Sequence, residues 1–175
     1  FDFVYNRFET NIGATSLTQQ WERCITLSNN EEWLMILGDD DVLSSNFVEE
    51  FNKKKKKIDN NFNVIRFGVV KINEEGEAFS DLYKNPIIEN SKEILFSKKR
   101  SSLSEYVFRK QQVISIGFKN FPLAWWSDVL AVLEFSNFSD IYSVNEAFVN
   151  VRISKYSISG SRENFNLKAL ATVQF

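Results

Sequence analysis

The chain has 175 residues, 43% of them hydrophobic, which is enough to bury one substantial core, so we expect a single domain. Its 21 basic and 23 acidic residues give a net charge of -2, and this balance supplies no overall attraction to nucleic acid or to an anionic membrane. The chain contains no histidine, which excludes histidine-based triads and metal sites and leaves acid–base or metal chemistry mainly to carboxylates.

The cysteine content and the lack of long apolar segments bear on the cellular compartment. Cys24 cannot form an intrachain disulfide, and within a helical pattern it is expected to be a small buried hydrophobic residue. No apolar stretch is long enough to span a bilayer, and the first residues do not resemble a signal sequence. We expect a protein without a transmembrane segment in a reducing compartment, either cytoplasmic or peripheral at the inner face of the membrane.

The first third of the sequence predicts a strand, a helix and a second strand. Residues 1–5 alternate apolar and polar side chains, as a short strand does. Apolar residues recur every three or four positions over residues 14–29, where Thr15 or Ser16 can cap an amphipathic helix. Residues 33–37 are a short apolar run typical of a central strand buried on both faces.

Helices and strands alternate through the rest of the sequence. Capping patterns predict helices that start near Asn46, Ser102 and Asp128, and the apolar segments 62–72, 141–144 and 148–153 predict strands. A final helix is expected from Arg162 onward, capped by Ser161. This alternation predicts an α/β layered domain with a largely parallel sheet.

Asp39, Asp40 and Asp41 follow the predicted central strand directly. Three adjacent carboxylates repel one another unless water screens them or a cation lies among them. Their oxygens suit Mg²⁺ or Mn²⁺, and Mg²⁺ is usually held by one or two carboxylates together with substrate phosphates. The sequence therefore predicts a metal–diphosphate site here, and the alternative is an acidic turn that caps the next helix.

Several motifs occur in a recognisable order. Asn11, Ile12 and Gly13 form an N-x-G turn ahead of the first helix, and an apolar strand then leads to the three aspartates. Later come Gly117-Phe118, the run Trp125-Trp126-Ser127-Asp128, and a basic, serine-rich segment at residues 151–159. As an ordered set, these motifs resemble those of the family-two glycosyltransferases of the GT-A type.

The resemblance implies a mixed, mostly parallel sheet flanked by helices. Residues 1–60 would form the donor and metal side, residues 61–160 the acceptor side, and residues 161–175 a C-terminal helix. The first strands of the family, which grip the nucleotide base, have no counterpart here. The resemblance thus implies an N-terminally truncated domain, nearly inactive by itself, with an open sheet edge through which it could self-associate.

The resemblance also implies roles for the acidic residues. Asp128 stands at the position of the general base, and Ser127 replaces the glutamate that usually precedes it. Asp40 is the first choice as metal ligand and Asp41 the second, while Asp39 would lie near the donor ribose or phosphate.

The remaining implied residues surround the two substrates. Asn11 and Gly13 would shape the donor-side loop, and Arg152 and Lys155 lie in the segment near the donor diphosphate. The adjacent residues Trp125 and Trp126 would position the acceptor sugar. The alternative for this last region is that the tryptophans belong to the core and Asp128 caps a helix.

These roles imply an inverting glycosyltransferase that depends on Mn²⁺ or Mg²⁺. It would move a sugar from a nucleotide-diphosphate donor to a glycan or a lipid-linked acceptor, as in polysaccharide biosynthesis.

Two other classes of function stay open. A Mg²⁺-dependent phosphoryl-transfer or nuclease domain would need further carboxylates near residues 39–41, and a carbohydrate-binding or interaction module would need an exposed aromatic platform and no metal.

Overall fold

The computed structural model of the chain describes residues 3–58, 61–96, 101–154, 158 and 164–175. These residues form six strands and six α-helices. The strands are β1 (Trp33–Met35), β2 (Val42–Leu43), β3 (Val64–Ile72), β4 (Ile88–Asn90), β5 (Tyr106–Arg109) and β6 (Asp140–Arg152). The helices are α1 (Leu17–Ile25), α2 (Phe47–Ile58), α3 (Ser91–Phe96), α4 (Lys110–Ile116), α5 (Ser127–Phe135) and α6 (Phe165–Gln174), and short 3₁₀ helices occupy Leu103–Glu105 and Pro122–Ala124.

The strands form one sheet with the order β1-β5-β3-β6-β2, and β4 also pairs with β6. Only the β3–β6 pairing is parallel among the strands of the described residues, and the other four pairings are antiparallel. The expected mostly parallel sheet is therefore wrong, although the mixed α/β class is confirmed. The physical reason is that β2, β4 and β5 are short strands that reverse direction, so the helices between strands do not each make a parallel crossover.

The β1 strand lies at an edge of the sheet, where β5 is its pairing partner within the described residues, and not at the centre. Its apolar run has another cause. Trp33 is buried against Phe51 of α2 on one face, while Leu34 packs into the cluster on the other face. A continuous apolar run thus indicates that both faces of the strand are covered by other residues, and it does not indicate how many strands pair with it.

Two apolar clusters cover the two faces of the sheet. On one face, Phe47 of α2 stacks on Phe67 of β3 with the ring centroids 3.9 Å apart. On the other face, Phe135 of α5 makes edge contacts with Phe108 of β5 at 5.3 Å and with Phe118 at 5.1 Å. Aromatic packing of this kind fixes α2 on one side of the sheet and α5 on the other.

The helix predicted at Ser102 is replaced by a 3₁₀ turn and a strand. The capping box forms as predicted, but it closes only the turn Leu103–Glu105 before β5 begins. Tyr106 and Phe108 point into one cluster and Val107 into the other, so alternating burial overrides the local capping signal.

Other local predictions have mixed outcomes. Ser16 caps α1 as expected, accepting a hydrogen bond from the Gln19 backbone N–H at 3.3 Å. Cys24 is exposed and not buried, because it lies on the outer face of α1.

Residues 3–5 form no strand, and residues 1–2 and 161–163 lie outside the described residues. None of the described helices has the length and apolar character that a bilayer crossing requires.

We predict that Gly68→Ala destabilises the sheet by about 1–3 kcal/mol, as overpacking usually does. A Cβ atom at this position of β3 would lie 2.9 Å from Leu82 Cδ1 and 3.3 Å from the Tyr83 carbonyl oxygen. Urea denaturation measures the change. Adding Leu82→Ala should recover part of the loss, because it removes the closer contact, and an unchanged free energy of unfolding in Gly68→Ala would contradict the close approach.

Candidate functional site

The acid loop, residues 38–41, lies directly after β1 and is pinned at both ends. The Gly38 N–H donates to Ser104 Oγ at 3.0 Å. At the other end, Asp41 Oδ1 accepts from the backbone N–H of Arg152 at 2.9 Å, and the Asp40 carbonyl accepts from Arg152 Nε at 3.1 Å. The carboxylates of Asp39 and Asp40 are exposed, as predicted for a loop, while Asp41 is half-buried.

The acid loop offers two carboxylates to a cation. A Cβ atom placed on Gly38 would lie 3.0 Å from Asp41 Oδ2 and 3.4 Å from Asp40 Oδ1, so both side chains fold over this glycine. No group of three or more histidine, cysteine or acidic side chains is arranged to hold a metal within the part of the chain that the structure describes. Two carboxylates are too few to coordinate a cation by themselves. A cation bound by Asp40 and Asp41 would need further ligands, such as phosphate oxygens of a substrate.

Arg152 braces the acid loop against the turn that follows β3. Its Nη1 donates to the carbonyl oxygens of Asn73 and Glu74, both at 2.7 Å. Together with the bond from Nε to the Asp40 carbonyl, these bonds engage much of the guanidinium, so its contact with a donor diphosphate stays a prediction. Lys155 lies outside the described residues.

Asp128 is the second residue of α5 and not its cap. The N-cap position belongs to Trp126, which makes no side-chain cap hydrogen bond. Asp128 Oδ1 accepts from the Val129 N–H at 2.9 Å, and the preceding Ser127 is fully buried with its Oγ donating to the Lys119 carbonyl at 2.7 Å. Ser127 was expected, from the sequence resemblance alone, to replace a glutamate, and its full burial favours a neutral side chain over an unpaired charge.

A buried arginine that pairs with two carboxylates, Glu105 and Glu89, was not predicted from the sequence. Arg66 of β3 is 3% exposed and Glu105 is 2% exposed, and Arg66 Nε lies 2.7 Å from Glu105 Oε1. Burial raises the pKa of Glu105, the charge of Arg66 opposes that rise, and the negative charge of Asp128 adds to it. A lone arginine within the apolar run of β3 is the signal that could have revealed the pair, because a buried charge requires a partner.

Ser104 and Glu105 each relate to one part of the predicted site. Ser104 Oγ accepts a hydrogen bond from Gly38 of the acid loop, and the negative charge of Asp128 raises the pKa of Glu105. A cavity of about 570 Å³ beside β3 is lined by Arg66, Lys71, Tyr83, Asn85, Ser102 and Glu105 among others, and the described lining residues do not include the three aspartates of the acid loop or Asp128. A larger cavity of about 930 Å³ is lined by residues 28–32, Arg109 and Lys110 among others. These residues lie just before β1 and at the end of β5, so this cavity is at the opposite end of the sheet from the acid loop.

The predicted donor-side loop packs against the segment that precedes the tryptophan pair. Asn11 Oδ1 accepts from the Gly13 N–H at 2.9 Å and closes the turn. Ser16 Oγ and Thr18 Oγ1 both donate to Asn120 Oδ1 at 2.9 Å, which ties α1 to that segment. No described contact joins Asn11 or Gly13 to the acid loop.

The tryptophan pair is covered in part by α6. Trp126 Nε1 donates to Thr172 Oγ1 at 2.8 Å, and its ring stacks on Phe175 with centroids 5.2 Å apart and an interplanar angle of 13°. Lys168 Nζ lies 4.8 Å from the centroid of the Trp125 ring. Contact of this pair with an acceptor stays a prediction, and one face of the Trp126 ring is already occupied.

Comparison with known proteins identifies the fold. No protein-family model matches the sequence, and no curated protein matches it either. The structure is similar to that of S. aureus TarS residues 1–349 in complex with UDP-GlcNAc, with a TM-score of 0.63, 11% identity, and coverage of 97% of this chain and 49% of that chain. It is also similar to the same TarS segment in complex with UDP, with a TM-score of 0.57, 11% identity, and coverage of 95% and 46%. The chain thus spans about half of the TarS segment, and the resemblance to a GT-A glycosyltransferase is confirmed at the level of the fold.

Proposed function

We propose that this chain forms part of an inverting glycosyltransferase that transfers a sugar from a nucleotide-diphosphate donor to an acceptor hydroxyl. The observation that carries the proposal is the hydrogen bond that holds the acid loop to Ser104, the residue before Glu105, whose pKa the charge of Asp128 raises. The fold supports it, since the TarS segment that resembles 97% of this chain was solved with UDP-GlcNAc. Because the chain spans about half of that segment, residues elsewhere would complete donor binding.

The acid loop provides the donor side of the proposed site. Asp40 and Asp41 would hold Mn²⁺ or Mg²⁺, a cation that stabilises the negative charge of a departing nucleoside diphosphate. Asp39 would lie near the donor ribose or phosphate. The backbone N–H of Arg152 holds the Asp41 side chain, its guanidinium holds the backbone carbonyl of Asp40, and Lys155 follows in the same segment.

Asp128 provides the base. Its carboxylate would accept the proton of the acceptor hydroxyl, while that oxygen attacks the anomeric carbon from the face opposite the leaving diphosphate, which inverts the configuration. Trp125 and Trp126 would position the acceptor from the exposed parts of their rings. Asn11 and Gly13 would shape the loop on the donor side.

The acceptor class, the location and self-association are part of the proposal. The acceptor is a glycan or a lipid-linked sugar made into a polysaccharide, and the protein acts in the cytoplasm or at the inner face of the membrane. β1 has one strand neighbour within the described residues, and unpaired strand edges tend to be covered by another strand. A second copy of the chain could supply that strand.

Thermal unfolding with nucleotide sugars tests the proposed function. UDP-, GDP- and CMP-sugars are each added to the full-length gene product with and without Mn²⁺. We expect one nucleotide class to stabilise the protein only when Mn²⁺ is present, by about 2.7 kcal/mol at a hundred times its Kd. Stabilisation by metal alone would instead support a phosphoryl-transfer or nuclease domain, and stabilisation by sugar alone a carbohydrate-binding module.

The Asp40→Asn variant tests the metal ligand. It should weaken Mn²⁺-dependent nucleotide binding by at least about tenfold, or ~1.4 kcal/mol, because the substitution removes a charged oxygen and preserves shape. Isothermal titration calorimetry measures the change. Asp81→Asn, which neutralises an exposed carboxylate outside the acid loop, is the matched control and should bind normally. Equal binding by the Asp40→Asn variant and the control would exclude Asp40 as a ligand.

A further inference from the structure

The turn that leads into α5 has a strained backbone. Leu123, Ala124 and Trp126 have φ angles of 60°, 52° and 72°, in the left-handed region that residues other than glycine rarely adopt. Such a residue costs roughly 1–3 kcal/mol and persists only when its surroundings hold it. This turn ends one residue before Ser127, so it sets the starting direction of the helix that carries Asp128.

The α6 helix holds this turn from outside. Thr172 Oγ1 accepts the indole N–H of Trp126 at 2.8 Å, and the Phe175 ring stacks on the same indole. Phe175 also makes an edge contact with Phe121, at the start of the turn, with centroids 6.2 Å apart. The two residues therefore contact both ends of the strained turn.

Few of the described side chains of α6 are buried in the core. Ala171 is its buried residue among those described, and the apolar side chains of Phe165 and Val173 are largely exposed. Its main packing partner is the 3₁₀ helix Pro122–Ala124, which lies within the strained turn. The position of α6 thus favours a role at the turn over a contribution to the core.

We propose that Thr172 and Phe175 are positioning residues for Asp128. They hold Trp126 in its left-handed conformation, and the first turn of α5 keeps its direction because the Leu130 N–H donates to the Trp126 carbonyl at 3.0 Å. Ser127 anchors the same turn from inside through the Lys119 carbonyl. The catalytic consequence rests on the proposed transferase function, whereas the coupling between α6 and α5 does not.

The double variant Thr172→Val, Phe175→Leu tests the coupling without an activity assay. We expect amide hydrogen exchange at Leu130 to accelerate about tenfold, while exchange in β3 stays unchanged, because the sheet makes none of these contacts. Val173→Ala, on the side chain that is 86% exposed, is the control and should leave Leu130 unchanged. Unchanged exchange at Leu130 in the double variant would overturn the proposal.

A rescue separates positioning from a general loss of stability. Ala124→Gly should restore slow exchange at Leu130 in the double variant, because glycine adopts a positive φ without strain and the turn then needs less support. In the full-length gene product, kcat for transfer should fall about tenfold in the double variant with the donor KM unchanged, and Ala124→Gly should recover it. Faster exchange at Leu130 with an unchanged kcat would refute the positioning of Asp128. A wild-type protein without any transfer would refute the proposed function, and the exchange result would still decide the coupling.

Discussion

Replacing Asp128 with asparagine is expected to reduce sugar transfer by about 10²–10⁴-fold, the usual contribution of a positioned base. Asparagine has nearly the same shape but cannot accept the acceptor proton. Nucleotide binding should stay close to normal, because the proposed donor contacts belong to the acid loop and not to α5. Single-turnover transfer by the full-length gene product measures the first quantity, and calorimetry with UDP and Mn²⁺ measures the second.

Two other carboxylates, of Glu134 and Asp140, serve as matched controls for Asp128. Glu134 lies near the end of α5, and Asp140 begins β6, where its Oδ1 accepts from Asn90 Nδ2 at 2.9 Å. Glu134→Gln and Asp140→Asn should both keep transfer near the wild-type rate. If either abolished transfer while Asp128→Asn did not, the base would have to be reassigned to that residue.

The second large effect is on stability, at the buried pair of Arg66 and Glu105. Arg66→Met should lower the free energy of unfolding by about 3–5 kcal/mol, because it leaves the carboxylates of Glu105 and Glu89 without their arginine. Urea denaturation measures the loss. The further change Glu105→Leu should return part of it, since an apolar pair of similar volume often replaces a buried ion pair without cost, while Glu89 stays without its arginine.

The loss in the Arg66→Met variant should also depend on pH. Burial raises the pKa of Glu105 above its usual value near 4.5, and removing the arginine removes the charge that opposes this rise. A raised folded-state pKa means that the folded state binds the proton more tightly than the unfolded chain. The deficit should therefore be smallest near pH 4 and grow as the pH rises through the folded-state pKa. A deficit that grows on acidification would show that Glu105 is not the group left unpaired.

A matched variant of an exposed pair provides the contrast. Lys53 lies 2.7 Å from Glu49 on the outer surface of α2, and solvent screens that pair. Lys53→Met should leave both the denaturation midpoint and its pH dependence nearly unchanged.

Local signals in the sequence predict the elements that depend on neighbouring residues. The cap at Ser16, the helix that follows it, the acid loop after β1 and the helix at Asp128 all arise from patterns within a few positions. The direction and order of strands could not be predicted in the same way. The partner of β1 at the sheet edge is β5, whose paired residues, such as Phe108 opposite Leu34, lie far along the chain, and that pairing depends on packing across the whole sheet.

The parts of the site that the sequence missed depend on contacts between distant segments. Glu105 was assigned to a capping box, which it does form, but its partner Arg66 is 39 residues away. Likewise, nothing near Trp126 indicates that Thr172 and Phe175 would cover its ring. Strong local patterns therefore predict the contacts that a residue makes with its neighbours in the sequence, and they give no information about its partner in a distant segment.

The contacts of Arg152 would couple fraying of the end of β6 to the affinity of the proposed cation site. The backbone N–H that holds Asp41 belongs to the last residue of β6, and the next N–H, of Ile153, donates to the Ile72 carbonyl at 2.9 Å. Fraying of this strand end and loss of the Asp41 geometry are therefore a single local equilibrium. By thermodynamic reciprocity, an ion that binds the closed form more tightly must lower the equilibrium constant for fraying by the same factor by which fraying lowers the affinity for the ion.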